Sequence, residues 1–461
     1  MLNRLVMLKY ITFCLTLISF LSCQEPEKVF IIEGPVPMKN TTGRVWDQGW
    51  LQVPENRTNK SSNTIELPFV FAKVPDSIEK ATTPVLIMSG GPGSSSLHMP
   101  NGVTNKAWGE NRDVLVMDQR GTKYAKPFLT CPEVDSLRIL GLQKGLWGKA
   151  LDSLYLKGVA SCHEKWTTQN TDLNGYNTLE SVADIESLRK ALNIDKLILY
   201  GMSYSCNLMT AYAQTYPENT KALILDSPLP HHVNYDEDAF ENIDTTLKNV
   251  VSHYTGSLEL YNQWTDHISF LKDSIFSISI DSIRYSYTRN ELIDRVLDQM
   301  SSHGSLPNTP IVMQNIIDGN HVGIEGIINS YLGYTRQAKG MRYSVWISEE
   351  LPEESEIVIR QKKKALPWLS DYYPNDVSFA TQDVWPVASI YDHWDWPNES
   401  FEGPTYILSG EFDPWTPPWY GAEMLEKIPN AILKKYPEHS HLPGFTQQGF
   451  QDIAEFLANI D

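Results

Sequence analysis

The chain has 461 residues, 41% of them hydrophobic and 20% charged, a composition that builds one large core or two smaller ones and excludes a fibrous or disordered protein. Its 38 basic and 56 acidic side chains give a formal charge of −18, and the one tight basic cluster, Arg360 with Lys362 to Lys364, is too short for a phosphate-binding face, so nucleic acid is excluded as a partner. Acidity this general serves solubility and is neutral between an enzyme and a binding protein.

The first element in chain order is a targeting signal. Arg4 and Lys9 lead into Tyr10 to Leu21, a mostly apolar run of 12 residues, too few to span a bilayer, which takes ~20. Phe20-Leu21-Ser22-Cys23 resembles a bacterial lipobox with Phe20 at the position usually held by Leu. The expectation is a signal peptide over residues 1–22, lipid on Cys23, and a linker over 23–44. The mature protein would then sit in the cell envelope, periplasm-facing or surface-exposed, held to a membrane through that lipid alone. An ordinary cleaved signal, giving a secreted chain, or a short uncleaved anchor is the alternative. In an oxidising compartment Cys131 and Cys162 can pair as a disulfide. Cys206 reads as a small buried apolar residue. No CxxC or HExxH spacing occurs, and neither a metal nor a cofactor is expected.

Further along, strand-like and helix-like stretches alternate. Asn40 to Asn63 reads as an early hairpin or loop region, followed by a strand at Thr64 to Lys73. Pro84 to Met88 and Asp113 to Met117 are short continuous apolar runs, as expected of strands covered on both faces of a parallel sheet. Leu179 to Asn193 carries apolar residues at helical spacing, Lys196 to Tyr200 is a strand, and Asn207 to Thr215 a helix. Ala222 to Leu225 and Tyr406 to Leu408 supply two more strands. Between Pro228 and about Ser400 the pattern changes to long amphipathic stretches with six tryptophans (Trp264, Trp346, Trp368, Trp385, Trp394 and Trp396) and no clear run of buried strands. The fold class is therefore α/β, with a mostly parallel sheet in two parts, 45–228 and 401–461, and a mainly helical cap inserted at 229–400.

Chemistry concentrates around three loops. Gly201-Met202-Ser203-Tyr204-Ser205 lies between a strand and a helix, the context of a nucleophile elbow that exposes the Ser203 hydroxyl. A plain turn with Ser203 as a helix cap is the bland reading. Upstream, Ser89-Gly90-Gly91-Pro92-Gly93 follows a strand directly. Its glycines let backbone N–H groups face a ligand, and the N–H groups of Gly91 and Tyr204 are the expected oxyanion hole. Downstream, Asp413 follows a strand, and His439-Ser440-His441 comes soon after. A serine needs a histidine to take its proton, and the histidine needs a carboxylate to fix its tautomer. The chain order Ser203, Asp413, His441 suits this, with His441 preferred over His439.

Together these residues resemble the proline iminopeptidase and tripeptidyl aminopeptidase branch of the α/β-hydrolases. The likeness includes Gly90-Gly91-Pro92-Gly93, Asp118-Gln119-Arg120-Gly121, Gly201-x-Ser203-Tyr204, Gly410-x-x-Asp413-x-x-Thr416-Pro417 and Ser440-His441-x-Pro443. Gly49 to Asn56, Thr64 to Leu67 and the helix containing Asp184 and Arg189 look like the tripeptidyl group. Ser89, Ser205 and Ser440 depart from the residues usual at their positions, His, Gly and Gly. The resemblance implies an α/β-hydrolase fold and an aminopeptidase that cleaves peptides from a free N-terminus through an acyl-enzyme. Asp118 and Arg120 are then structural, as a buried ion pair. It also implies cap carboxylates around the substrate ammonium, from Asp236-Glu237-Asp238 or Ser348-Glu349-Glu350. Glu349 is favoured because Tyr343 to Glu349 resembles the apolar run ending in Cys-Ser-Glu of the tripeptidyl group. A solvated charge run through Glu354 is the alternative there. A carboxylester hydrolase, or a lipid-anchored binding protein that lost turnover, are the competing functions.

Overall fold

A computed structural model describes residues 29–30, 40–333, 337–392 and 400–460. The expected signal peptide, Cys23 with its lipid, Trp394 and Trp396 lie outside the described residues. Eleven strands are described: β1 (Val29–Phe30), β2 (Val45–Pro54), β3 (Thr64–Lys73), β4 (Val85–Met88), β5 (Val114–Met117), β6 (Leu197–Met202), β7 (Thr220–Asp226), β8 (Phe276–Ile280), β9 (Ile283–Tyr287), β10 (Thr405–Gly410) and β11 (Ala431–Tyr436). Nine form one sheet in the order β1-β2-β3-β5-β4-β6-β7-β10-β11. From β5 to β11 every neighbouring pair is parallel, and β1, β2 and β3 extend the sheet antiparallel.

The apolar runs explain the centre of this sheet. Successive side chains alternate between faces. Leu86, Met88, Leu199, Leu223 and Ile407 pack on one face against helices Thr178–Ala191 and Tyr204–Thr215. Val85, Ile87, Ile198, Ile224 and Leu408 pack on the other against helix Gln447–Ala458. Both faces are dry, so neither set of positions tolerates polar residues. The strand order, the parallel centre and the helices on both faces are those of the α/β-hydrolase fold.

The chain between β7 and β10 is mainly helical. It carries its own apolar cluster, built on Leu247, Trp264, Leu292, Met313 and Trp368. Trp346 and Trp385 belong to a different cluster, shared with Trp166, Leu129 and Tyr204, which joins the insertion to the rest of the molecule. Three features differ from the sequence expectation. Val29–Phe30, expected within a linker, pairs with Trp50 and Leu51 at the edge of the sheet. The insertion contains a two-stranded sheet, β8-β9, whose short half-exposed strands lack a buried run. β11 carries Lys434 and Lys435 and closes the opposite edge of the main sheet, where one side of the strand meets water.

Asp118 and Arg120 do not form the ion pair expected of them. Asp118 accepts hydrogen bonds from Ser95 Oγ and Ser96 N, both at 2.8 Å, and from Tyr124 N. Arg120 turns to helix Thr178–Ala191 and grips Asp184 with Nε and Nη2, each at 2.8 Å.

Cys131 and Cys162 are disulfide-bonded, 31 residues apart in sequence. The bond ties the start of helix Pro132–Gln143 to helix Lys149–Thr168. Replacing both by alanine should cost about 3–4 kcal/mol by the loop-entropy argument. Urea denaturation of the double variant checks this, and a midpoint equal to that of the oxidised wild type would contradict it.

Candidate active site

The turn at Ser203 forms because β6 ends on residues that leave no room. At Gly201 a Cβ would lie 2.7 Å from Cys206 Cα and from Ser205 O, so only glycine lets the helix double back. Ser203 itself takes φ +55°, a left-handed conformation that costs a non-glycine residue about 1–2 kcal/mol and marks a turn held by its surroundings. Its N–H donates to Asp226 O at 3.0 Å. Ser205, where glycine is usual, is buried and uses its hydroxyl: Oγ accepts from Met202 N at 2.7 Å and donates to Met88 O at 2.6 Å, bracing β6 against β4.

The glycine loop after β4 lies directly on this turn. A Cβ on Gly90 would meet Met202 O at 2.6 Å and Ser203 Cβ at 2.9 Å. Gly91 takes φ +118°. Among the described residues, neither the Gly91 nor the Tyr204 N–H donates to another protein group, as expected of donors reserved for a ligand oxygen.

Asp413 follows β10 and is fully buried. One oxygen accepts from Trp415 N and Thr416 N, both at 3.0 Å. The other accepts from Thr416 Oγ1 at 2.9 Å and lies 2.7 Å from His441 Nδ1. Burial works against an imidazolium at His441, but the Asp413 carboxylate beside it prevails and raises its pKa. With Nδ1 committed to Asp413, Nε2 is the nitrogen left for proton transfer. His439 stacks on His303 of the insertion and holds Pro437 O through Nδ1, so of the two candidates His441 is the one paired with a carboxylate. Ser440, where glycine is usual, donates its hydroxyl to Met300 O, fastening the histidine loop to the insertion. The two loops converge on the end of β7. Asp226 O holds the Ser203 N–H, and Ser227 Oγ accepts from Leu442 N at 2.9 Å.

Helix Lys339–Glu349 lies over the glycine loop. A Cβ on Gly93 would approach Ala338 O to 3.2 Å, and Arg342 donates to Gly91 O at 2.7 Å. Arg342 also holds Asn375 and Asp376, which line a cavity of about 620 Å³ between the insertion and the disulfide-linked helices. At the other end of the helix Glu349 is 1% exposed. Its two oxygens accept from Thr178 N and Thr178 Oγ1, each at 2.5 Å, and Thr178 Oγ1 lies 2.6 Å from Tyr204 Oη. Burial lifts the Glu349 pKa to about 7. Glu350, passed over in favour of Glu349, is 4% exposed, and its Oε1 has no hydrogen-bond partner among the described residues. Burial, then Glu349, Glu354 and Asp236 nearby, push its pKa far up. Of the other acidic group, Asp236 is held by Trp346 and Asn375, Glu237 by Ser355 N, and Asp238 lies 3.5 Å from Tyr420 Oη. Among the described residues no group of three metal-ligating side chains is assembled.

Residues 83–253 match a family model described as alpha/beta hydrolase fold. The chain is similar to the hydrolase-named YuaR of Escherichia coli strain K12, 22% identical over 422 residues that cover 84% of this chain and 80% of that one. It is 26% identical over 203 residues to a tripeptidyl aminopeptidase of Streptomyces lividans, covering 38% and 36% of the two chains. A proline iminopeptidase of Neisseria meningitidis serogroup B is 28% identical over 142 residues, 31% of each chain. The match thus spans about a third of the length of these two peptidase-named relatives.

Proposed function

We propose that this chain, a hydrolase of the α/β fold, is a serine exopeptidase that removes residues from a free peptide N-terminus, with Ser203 as nucleophile, His441 as base and Asp413 as its carboxylate. His441 takes the Ser203 proton as Oγ attacks the scissile carbonyl, and Asp413 offsets the charge that the imidazole gains. The N–H groups of Gly91 and Tyr204 receive the oxyanion. His441 then returns the proton to the leaving amine. A water molecule, deprotonated by the same imidazole, clears the acyl-enzyme.

The observation that carries the exopeptidase reading is the pair of buried carboxylates at the end of helix Lys339–Glu349. A buried ammonium needs a hydrogen-bonded counter-charge to offset its desolvation. Glu350 offers an oxygen with no partner among the described residues, and Glu349 is linked through Thr178 to Tyr204, the residue after the nucleophile. The binding role expected of Glu349 is therefore divided: Glu350 faces the charge, and Glu349, held by Thr178, braces the site beside it. The names of the peptidase relatives agree with a peptide substrate.

The test compares an aminoacyl-arylamide, its N-acetyl derivative and a neutral aryl ester. Glu350→Gln should raise KM for the free amine about 10- to 100-fold and leave ester hydrolysis within about 2-fold. Equal losses on amine and ester would assign Glu350 to the fold, and rapid cleavage of the N-acetylated compound would remove the exopeptidase reading. Hydrolysis of the ester with no cleavage of any arylamide would favour the esterase.

A further inference from the structure

Asp226 is the last residue of β7 and 0% exposed, and it belongs to neither the motifs nor the proton relay described above. Its backbone and side chain serve opposite halves of the site. The carbonyl accepts the Ser203 N–H at 3.0 Å. The carboxylate accepts the Gly444 N–H at 3.2 and 3.1 Å through its two oxygens, and Tyr200 Oη donates to it at 3.0 Å. Gly444 lies three residues beyond His441, and a Cβ there would come within 2.4 Å of both Asp226 Oδ2 and Tyr200 Oη. The loop thus seats backbone-first on this carboxylate. Between the two contacts the chain bends through Leu442 at φ +63°, a strained conformation for a branched residue, pinned by the bond from its N–H to Ser227 Oγ.

We propose that Asp226 is a positioning residue for the reaction, a second buried carboxylate that locks the His441 loop to the Ser203 turn and adds its field to that of Asp413 on the imidazole. The proposal rests on Ser203 and His441 being nucleophile and base. Four groups face Asp226: Tyr200 from β6, Cys206 from helix Tyr204–Thr215, His441 from its loop, and Asp413 from the turn after β10. His441 is the only one of the four that carries positive charge. Every hydrogen bond reaching the carboxylate comes from a donor, which favours the ionised form, while burial opposes it and carries the pKa to about 7. Asp226 favours the charged form of His441, and His441 in turn favours the charged form of Asp226.

The experiment measures the rate constant for labelling of the full-length chain by a fluorophosphonate against pH, which reads activation of the serine whatever the natural substrate. Asp226→Asn keeps an acceptor for Gly444 through Oδ1 and loses the charge. The imidazolium then loses a favourable neighbour and releases its proton more readily. The acid limb of the profile should move down by about half a pH unit to one unit, with a plateau about 3- to 10-fold lower. Asp226→Ala, which leaves the Gly444 N–H unsatisfied, should lose about 100-fold. Tyr200→Phe, which keeps the ring and removes one donor to Asp226, should move the limb the same way by less, and it serves if Asp226→Asn fails to fold. A limb that stays in place in a folded Asp226→Asn or Tyr200→Phe variant, with loss uniform across pH, overturns the proposal and leaves a structural role. Labelling of Ser203→Ala at the wild-type rate would overturn the nucleophile assignment together with the proposal, an outcome distinguishable from an unmoved limb.

Discussion

Replacing Ser203 with alanine is expected to lower hydrolysis about a millionfold without unfolding the chain. The side chain is a single hydroxyl at a turn whose shape is fixed by Gly201, by the Ser205 brackets and by the bond to Asp226 O, so its loss removes chemistry and little packing. His441→Ala should fall almost as far, because in the proposed relay the two act as one unit and losses within such a unit do not add. The N–H groups of Gly91 and Tyr204 remain in place in either variant, and a small rate above that in water should persist. His439→Ala should stay within about 3-fold of wild type, since it meets His303 and a backbone carbonyl, not a carboxylate. Single-turnover assays with an activated ester decide between the histidines. A dead His439→Ala beside an active His441→Ala would reverse the assignment.

The largest loss of stability is expected at Arg120. Its guanidinium is fully buried, holds both oxygens of Asp184, lies 3.3 Å from Glu180 and donates to Glu55 O at 2.6 Å. Arg57 reaches the same two carboxylates from the rim at 2.6 and 2.8 Å. Removing one partner of a buried pair leaves the other charge uncompensated, and Arg120→Met should cost about 3–5 kcal/mol, a large part of what a domain has to spare. Urea midpoints of the variant and the wild type at neutral pH check this. A cost under about 1 kcal/mol at neutral pH would mean that Arg57 alone neutralises Glu180 and Asp184.

The sequence made the proposed chemistry legible wherever function rests on a short stretch of chain. Ser203 stands out because the strand, the small Gly201 and the following helix are local. Asp413 and His441 sit in tight turns beside strand ends, and the choice between His439 and His441 reduced to which of two alternating residues faces inward. Long-range partners were not legible. Asp118 and Arg120 look like a pair at two residues' separation, yet Arg120 is matched by Asp184, 64 residues on, and nothing local announces that. Asp226 reads as the polar end of a strand, since its partners Tyr200 and Gly444 come from distant segments. Glu350 is masked by its neighbour, because a run of acids normally faces water; both residues are buried, and only their hydrogen-bond partners separate them. The β8-β9 hairpin and β11 leave no mark in the sequence for the converse reason: half-exposed strands carry no continuous apolar run.

The split sheet has a temporal side. β7 and β10 are hydrogen-bonded neighbours, but about 180 residues of insertion leave the ribosome between them. Closing so long a loop is entropically unfavourable until the insertion has collapsed on its own apolar cluster. The Ser203 turn, the glycine loop and β4 to β7 can be in place while Asp413 and His441 are still unmade or unpaired, since folding proceeds from the N-terminal side during synthesis. On the proposed assignment, any chain interrupted before residue 441 carries its serine without a base. On the proposed roles, a hydrolase built in this order stays inert as a nascent or truncated polypeptide and gains its reactivity only when the last eighth of the chain threads into the far edge of the sheet.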